Sequence, residues 1–354
     1  ELSWQASLQL SNGTLPMHPP EPSGGAGRVC PYFACIAALS LLIRPARYAG
    51  HVRRYLIWHF AHLNGAGSDH HGVDGTIYDY WVTQNARGEV TERAVANLLG
   101  RKHYDSTDSY AALLLILARA YLEATGDGAY LAFWQDALVR AYTAMLATFQ
   151  DDLSYAKPGF FTRYTMDNCE VWQGLWAAEG LFHALARFAG SGALAALSKE
   201  SAARRQALAW AIERRLWNAR AGHYEVGVNA KGRASPASLD LRRYYPDAMA
   251  QLFPILTGVL PPDSARAKIL YAAFNRHFSA GAVRWERMEG VPGRAVEYGL
   301  AARVAVRMGD AGRALSFLWT YERNVLRKTP SSGVNAERAH AALAAQALLS
   351  SLDP

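Results

Sequence analysis

The sequence is poor in cysteine: Cys30, Cys35 and Cys169 are the only three in 354 residues. Three thiols cannot complete a set of bridges, which excludes a disulfide-stapled scaffold. Cys30 and Cys35 sit five apart at a helix entrance and are near enough to pair, although buried free thiols are the plainer reading. No apolar run approaches the roughly 20 residues of a membrane-spanning helix, so no membrane span is expected. Long basic runs are missing too. The net charge is +7, yet Arg204-Arg205, Arg214-Arg215 and Arg242-Arg243 are isolated pairs among acids. That pattern argues against nucleic acid as a partner and leaves only a mild bias toward an acidic substrate. There is no Gly-rich phosphate loop, nucleophile elbow or dinucleotide fingerprint, and Gly24-Gly25-Ala26-Gly27 lies in a Pro-rich loop where it reads as a flexible entry. His59, His62, His70 and His71 resemble a metal cluster, but no carboxylate set completes the zinc-protease pattern. Neither metal nor cofactor is therefore expected. The chain opens at Glu1 without a Met, n-region or apolar h-region, so no signal peptide is expected, and the sequence reads either as cytoplasmic or as a mature or trimmed form.

What is present is helix-forming. Hydrophobic residues make up 51% and charged residues 19% of the chain, a globular balance. Ala and Leu dominate many segments while Val and Ile are sparse, which favours helix over sheet. Helical periodicity predicts helices near 1–11, 31–44, 48–63, 107–125, 130–150, 167–189, 200–217, 246–258, 263–277, 294–308, 311–324 and 335–351. The connections alternate in length. Short ones contain Pro45, Gly126-Asp127, Gly190 to Gly192, Pro261-Pro262 and Gly309-Asp310; long ones span about 12–30, 64–106, 151–166, 218–245, 278–293 and 325–334. Short turns join antiparallel helix pairs, so the long loops gather at one end. Six inner helices starting from that end and six running back, with 1–11 as the last outer helix, predict an all-α fold: a single (α/α)6 toroid over 1–354. Spacings between inner-helix starts vary too much for a solenoid.

Acids and rings recur at the predicted helix entrances. Tyr104-Asp105-Ser106-Thr107-Asp108-Ser109-Tyr110 opens into an apolar run, and similar composition returns at Tyr164 to Trp172 and at Tyr244-Tyr245-Pro246-Asp247. Rings that stack on sugars beside carboxylates that move protons are the equipment of carbohydrate enzymes. The competing reading is local. Asp105 and Asp108, like Asp167 and Glu170, are three apart, the spacing of an N-cap and its N3 partner. Asp247 is equally a first-turn acid after a proline. Asp74-Gly75 reads as a turn with a hairpin between neighbouring short strands, and Asp79 either as substrate contact or catalytic acid. Glu286 and Glu289, beside Trp285, belong to another long loop, and Glu297 begins the next inner helix.

The helix-pair layout and the Tyr104-Asp105-Ser106-Thr107-Asp108-Ser109 stretch resemble the six-hairpin glycosidase superfamily. That group holds the glucoamylase-, trehalase- and debranching-like hydrolases and the unsaturated glucuronyl hydrolases. The stretch is similar to the Tyr-Asn-Ser-x-Asp-Ala entrance of debranching-type enzymes, with Asp105 in place of Asn. The resemblance implies hydrolysis of an oligo- or polysaccharide with inversion.

One protonated and one ionised carboxyl group are needed for that reaction. The helix dipole is expected to keep Asp105, Asp108, Asp167 and Glu170 ionised, as bases or sugar ligands. A proton donor is expected from Asp79 or Glu286. Tyr78, Tyr104, Lys157, Tyr164, Trp172, Tyr245, Asp247 and Trp285 are the expected substrate-binding residues, and a carbohydrate the expected partner. Two other classes remain open. One is a sugar epimerase working through His62, His277 or His340; the other is a glycan-binding protein without turnover. Nothing in the sequence fixes the oligomeric state.

Overall fold

The computed structural model describes residues 1–19, 25–278, 297–326 and 335–352. Helices dominate these residues. The first seven are α1 (Leu2–Ser7), α2 (Pro31–Leu41), α3 (Pro45–Ala61), α4 (Asp108–Thr125), α5 (Gly128–Phe133), α6 (Gln135–Leu146) and α7 (Thr165–Ala189). They are followed by α8 (Gly192–Ala211), α9 (Asp247–Thr257), α10 (Ala265–His277), α11 (Tyr298–Arg307), α12 (Ala311–Tyr321) and α13 (Asn335–Leu352). Both α8 and α12 run on into one π turn, Ile212–Leu216 and Glu322–Leu326.

Among the described residues, nine short strands decorate the connections. They are β1 (Gly27–Val29), β2 (Tyr80–Gln84), β3 (Val90–Ala94), β4 (Phe149–Gln150), β5 (Leu153–Ser154), β6 (Thr162–Tyr164), β7 (Trp217–Asn218), β8 (His223–Tyr224) and β9 (Gly227–Asn229). All pair antiparallel, as β1-β2-β3, β4-β5, β6-β9 and β7-β8.

Six helices pack in a closed circuit: α2 on α4, α4 on α7, α7 on α9, α9 on α11, α11 on α13, and α13 back on α2. The others lie outside it, α3 on α2 and α4, α5 and α6 on α4 and α7, α8 on α7, α10 on α9, α12 on α11 and α13, and α1 on α2 and α13. Burial explains which helices are inner. Leu113, Leu114, Leu115 and Leu117 of α4 are all buried, as are Leu175, Leu181, Phe182 and Leu185 of α7, so both helices are covered on several sides. Outer helix α8 instead buries only Leu194, Ser198, Ser201, Leu208 and Ala211. Each of α4, α7 and α9 stops at a glycine in the left-handed region, Gly126, Gly190 and Gly258, which caps the helix and turns the chain outward. Chain ends close the ring. The Asn335 amide side chain donates to the Pro16 carbonyl at 3.1 Å, its backbone N–H donates to Met17, and the Arg338 guanidinium reaches Glu1 and lies over the Trp4 ring.

Several boundaries differ from expectation. The single helix expected over 130–150 is two, because Trp134 leaves helical geometry and stacks its ring on Phe60. Its last residues form β4, and Asp151 and Asp152 take positive φ in the two-residue turn to β5. The first helix ends at Ser7 instead of near residue 11. Asp74-Gly75 does not join a hairpin. Asp74 accepts from the Arg140 guanidinium at 3.0 Å, and Gly75 (φ 84°) lies against the Arg140 carbonyl, where a Cβ would stand 2.2 Å away. The hairpin is β2-β3 instead. All three cysteines are free and buried. Among the described residues, no helix is long and apolar enough to cross a membrane.

Candidate functional site

The inner helices present their first turns at one end of the ring, where the acids of the entrance motifs meet. Asp108, the first residue of α4, has no exposed surface. Its Oδ1 accepts from the Ser109 N–H at 2.7 Å and its Oδ2 from the Ser154 hydroxyl at 2.5 Å. The Ser154 N–H in turn donates to Asn168 Oδ1 at 2.8 Å, which ties α4, β5 and α7 together. Neither expected cap forms. Thr107 precedes α4 and Tyr164 precedes α7, each without a side-chain cap, and Asp105 is exposed ahead of its helix. Glu170, expected to reach back in a capping box, instead accepts a short hydrogen bond from the Tyr32 hydroxyl of α2.

Burial reverses the expected protonation of these acids. The Glu170 carboxyl is pushed up to about 8, first by burial and then by the charge of Asp167, against hydrogen bonds from Tyr32 and Ser109. Asp108 is raised chiefly by burial, and Asp167 by burial and then by Asp108 and Asp105. A helix N-terminus contributes only about 0.3–1 kcal/mol to an anion. Full desolvation shifts a carboxyl by several units, so it wins here. Glu297, which immediately precedes α11, adds repulsion felt by Glu170, Tyr32 and Tyr245. Glu337 of α13 accepts from the Gly299 N–H at 2.9 Å and is held well above the usual carboxylate range, first by burial. Tyr164 and Tyr245 are raised by burial and then by Asp167 and Asp105, which places both phenols beside that pair. Tyr245 is 39% exposed, leaving ring surface open near the acids. Half-buried Tyr164 stacks on Phe160 at 6.0 Å. Lys157 donates to the Tyr104 carbonyl at 3.2 Å.

Other expected site residues are engaged elsewhere. Tyr78 and Tyr104 are buried and stacked on each other at 5.6 Å, with Tyr104 donating to Asp69, so neither offers a face to a sugar. Asp247 has no exposed surface and is held by the Arg243 guanidinium and the Asp240 N–H, a brace for the loop before α9. Trp172 lies under Arg205 of the outer helix α8, away from the ring's axis. Asp79 is raised by burial, but Arg28 at 2.6 Å and Tyr110 at 3.0 Å hold its two oxygens. Trp285, Glu286 and Glu289 lie outside the described residues. Of the histidines, His62 pairs with Glu92 at 2.6 Å and His277 is exposed on α10, while His340 faces the ring's interior.

Tyr32, Glu297 and Glu337 were not expected in the site. All three sit within three residues of an inner-helix start, so the loop alternation that located Asp108 and Asp167 could have located them.

A cavity of about 540 Å³ runs through the ring below the acids. Tyr32 and Glu170 form its upper end, and its lining descends to Leu42, Ile43, Glu123, Ala124 and Thr257 at the C-terminal turns of α2, α4 and α9. It thus extends away from the loop end.

The fold is shared with solved structures of low sequence identity. A glycosidase E178A variant gives a TM-score of 0.64 at 15% identity, over 98% of this chain and 94% of that one. A rhamnosidase from Klebsiella oxytoca with rhamnose bound gives 0.59 at 14%, over 98% of this chain and 62% of that chain. An uncharacterized conserved protein from Thermus thermophilus gives 0.63 at 13%, over 99% of this chain and all of that one. No protein-family model matches the sequence. No curated protein matches it either.

Proposed function

We propose that the chain is an (α/α)6 toroid of six-hairpin type and a glycoside hydrolase acting at its loop end without a cofactor. One observation carries the reading: acids raised well above the carboxylate range stand beside exposed Asp105 and open aromatic rings. Such a site offers both a proton donor and an ionisable partner. The closed helix circuit supports the toroid, and the likeness to structures named as a glycosidase and a rhamnosidase supports the reaction class.

Asp167 is the proposed proton donor. It is half-buried, and with Asp105 close by, its neutral form is favoured until a leaving oxygen takes the proton. Glu297, one inner helix beyond α9, is the proposed base that activates water on the other face of the sugar. Tyr164 and Tyr245 are the proposed ring platforms, and Tyr32 positions Glu170 beneath them. Inversion requires the acid and base about 6.5–9.5 Å apart.

The test is hydrolysis of an aryl-glycoside and oligosaccharide panel, with the product anomer followed by NMR. Asp167→Asn is expected to slow substrates with poor leaving groups by about 100-fold or more while sparing activated aryl glycosides, because proton donation typically contributes about 10²–10⁴. Glu297→Gln is expected to slow both. Sugar binding without turnover in the unmodified protein would discard the hydrolase in favour of a glycan-binding protein.

A further inference from the structure

The axial cavity holds a cation without a counter-ion. Arg303, in the middle of α11, lines it together with His340 of α13. The guanidinium Nη1 donates to His340 Nδ1 at 2.8 Å, and no carboxylate stands at ion-pair distance among the described residues. Because Nδ1 accepts, the imidazole is neutral, and burial together with Arg303 holds it well below its ordinary range. Burial, and then the charge of Arg307 one turn along the helix, lowers Arg303 itself to about 10. Two guanidiniums therefore repel each other at the end toward which the cavity runs. Exposed Arg307 stands nearer that end.

The two acids that line the cavity do not answer this charge. Glu170 is protonated below about 8 and accepts from Tyr32. Glu123 lies at the far edge and is taken by Arg119 at 2.7 Å. Apart from Tyr32, Gln173 and Thr257 the remaining walls are hydrocarbon, including Ile36, Leu39, Leu113, Ile116, Phe253 and Leu343.

Arg303 is half-buried, and a charge facing largely apolar walls without a counter-ion is costly until an anion pairs with it. We infer that the axial cavity is a binding site for a monocarboxylate with an apolar body, its carboxylate on Arg303 and its hydrocarbon along the aliphatic walls. A cavity of this volume lies in the usual range for enclosing a small organic ligand. The site meets the loop-end acids at Tyr32 and Glu170, but its charge lies on Arg303, and it stands whether or not those acids cleave sugars. Polyanions such as phosphates fit poorly, because among the described lining residues Arg303 is the only arginine or lysine to balance their further charges.

Thermal shift and calorimetric titration with sodium octanoate, 1-octanol and sodium acetate test the assignment on the intact protein. Octanoate is expected to raise Tm and to bind at least about tenfold more tightly than either comparator, since one supplies only the chain and the other only the charge. Arg303→Met is expected to fold, because it replaces a half-buried charge that lacks a counter-ion with an apolar side chain that fits the same walls, and to lose that preference. Should the variant fail to fold, the three-ligand comparison on the unmodified protein decides alone. Equal binding of octanoate and octanol, no binding of octanoate, or undiminished octanoate binding by Arg303→Met would each overturn the site.

Discussion

Glu170 shows how a single residue reports its surroundings through pH. Its carboxyl titrates at about 8 in the fold against an ordinary 4.5, so the native state holds a proton that the unfolded chain has released. Between those values unfolding releases the proton, and stability falls as pH rises. This contribution is complete below pH 4.5 and gone above about 8. Glu170→Gln mimics the protonated form and still accepts from Tyr32. Its Tm is expected to decline less than that of the parent between about pH 5 and 8, as read by calorimetry; parallel declines would remove Glu170 as the source. The acids at helix entrances were legible as pairs three apart, but not their state. Spacing and dipole argued for ionised caps, and only the packed fold reveals that Asp108 is sealed beneath Ser154. The rings misled for a related reason. Tyr78 and Tyr104 stand beside acids in sequence yet spend their faces on each other.

At the scale of the element, helix existence was readable from Ala and Leu periodicity, whereas its interruptions depended on distant partners. Trp134 breaks the helix between α5 and α6 by reaching Phe60, a contact that no local pattern encodes. Glycines set how closely the helices approach. A Cβ on Gly299 of α11 would stand 2.5 Å from the Ala341 nitrogen and 2.8 Å from the Glu337 carbonyl of α13, both backbone atoms. On Gly180 of α7 it would meet only the Arg119 guanidinium, at 2.7 Å. Gly299→Ala is therefore expected to cost about 1–3 kcal/mol by overpacking. In Gly180→Ala a movable side chain yields, and the helix-propensity gain of up to about 1 kcal/mol offsets the loss. Denaturant midpoints of the two variants measure the contrast, and equal losses would show that backbone approach is not the cause.

For the molecule as a whole, the alternation of short and long connections was the most productive sequence signal. It anticipated which helices meet. It could not anticipate the axial cavity, because Arg303 and His340 come together across two helices and carry no motif. The closed circuit predicts cooperative behaviour, since every inner helix has two inner neighbours. Removing the chain from Asn335 onward would unpair α2 and α11 and expose the buried face beneath α13. The shortened protein is expected to lose its sharp thermal transition, as followed by near-ultraviolet circular dichroism, where an unchanged transition would contradict a ring held together by closure.

The close approaches at small residues settle one further dimension. Gly174 of α7 lies so near Ala112 of α4 that an added Cβ would stand 2.7 Å from the alanine's own Cβ, and Gly299 meets α13 backbone to backbone. Like the joints of a hoop, these contacts fix the circumference of the inner ring, and circumference fixes bore. The width available to an occupant of the axial cavity is thus set by residues that never touch it.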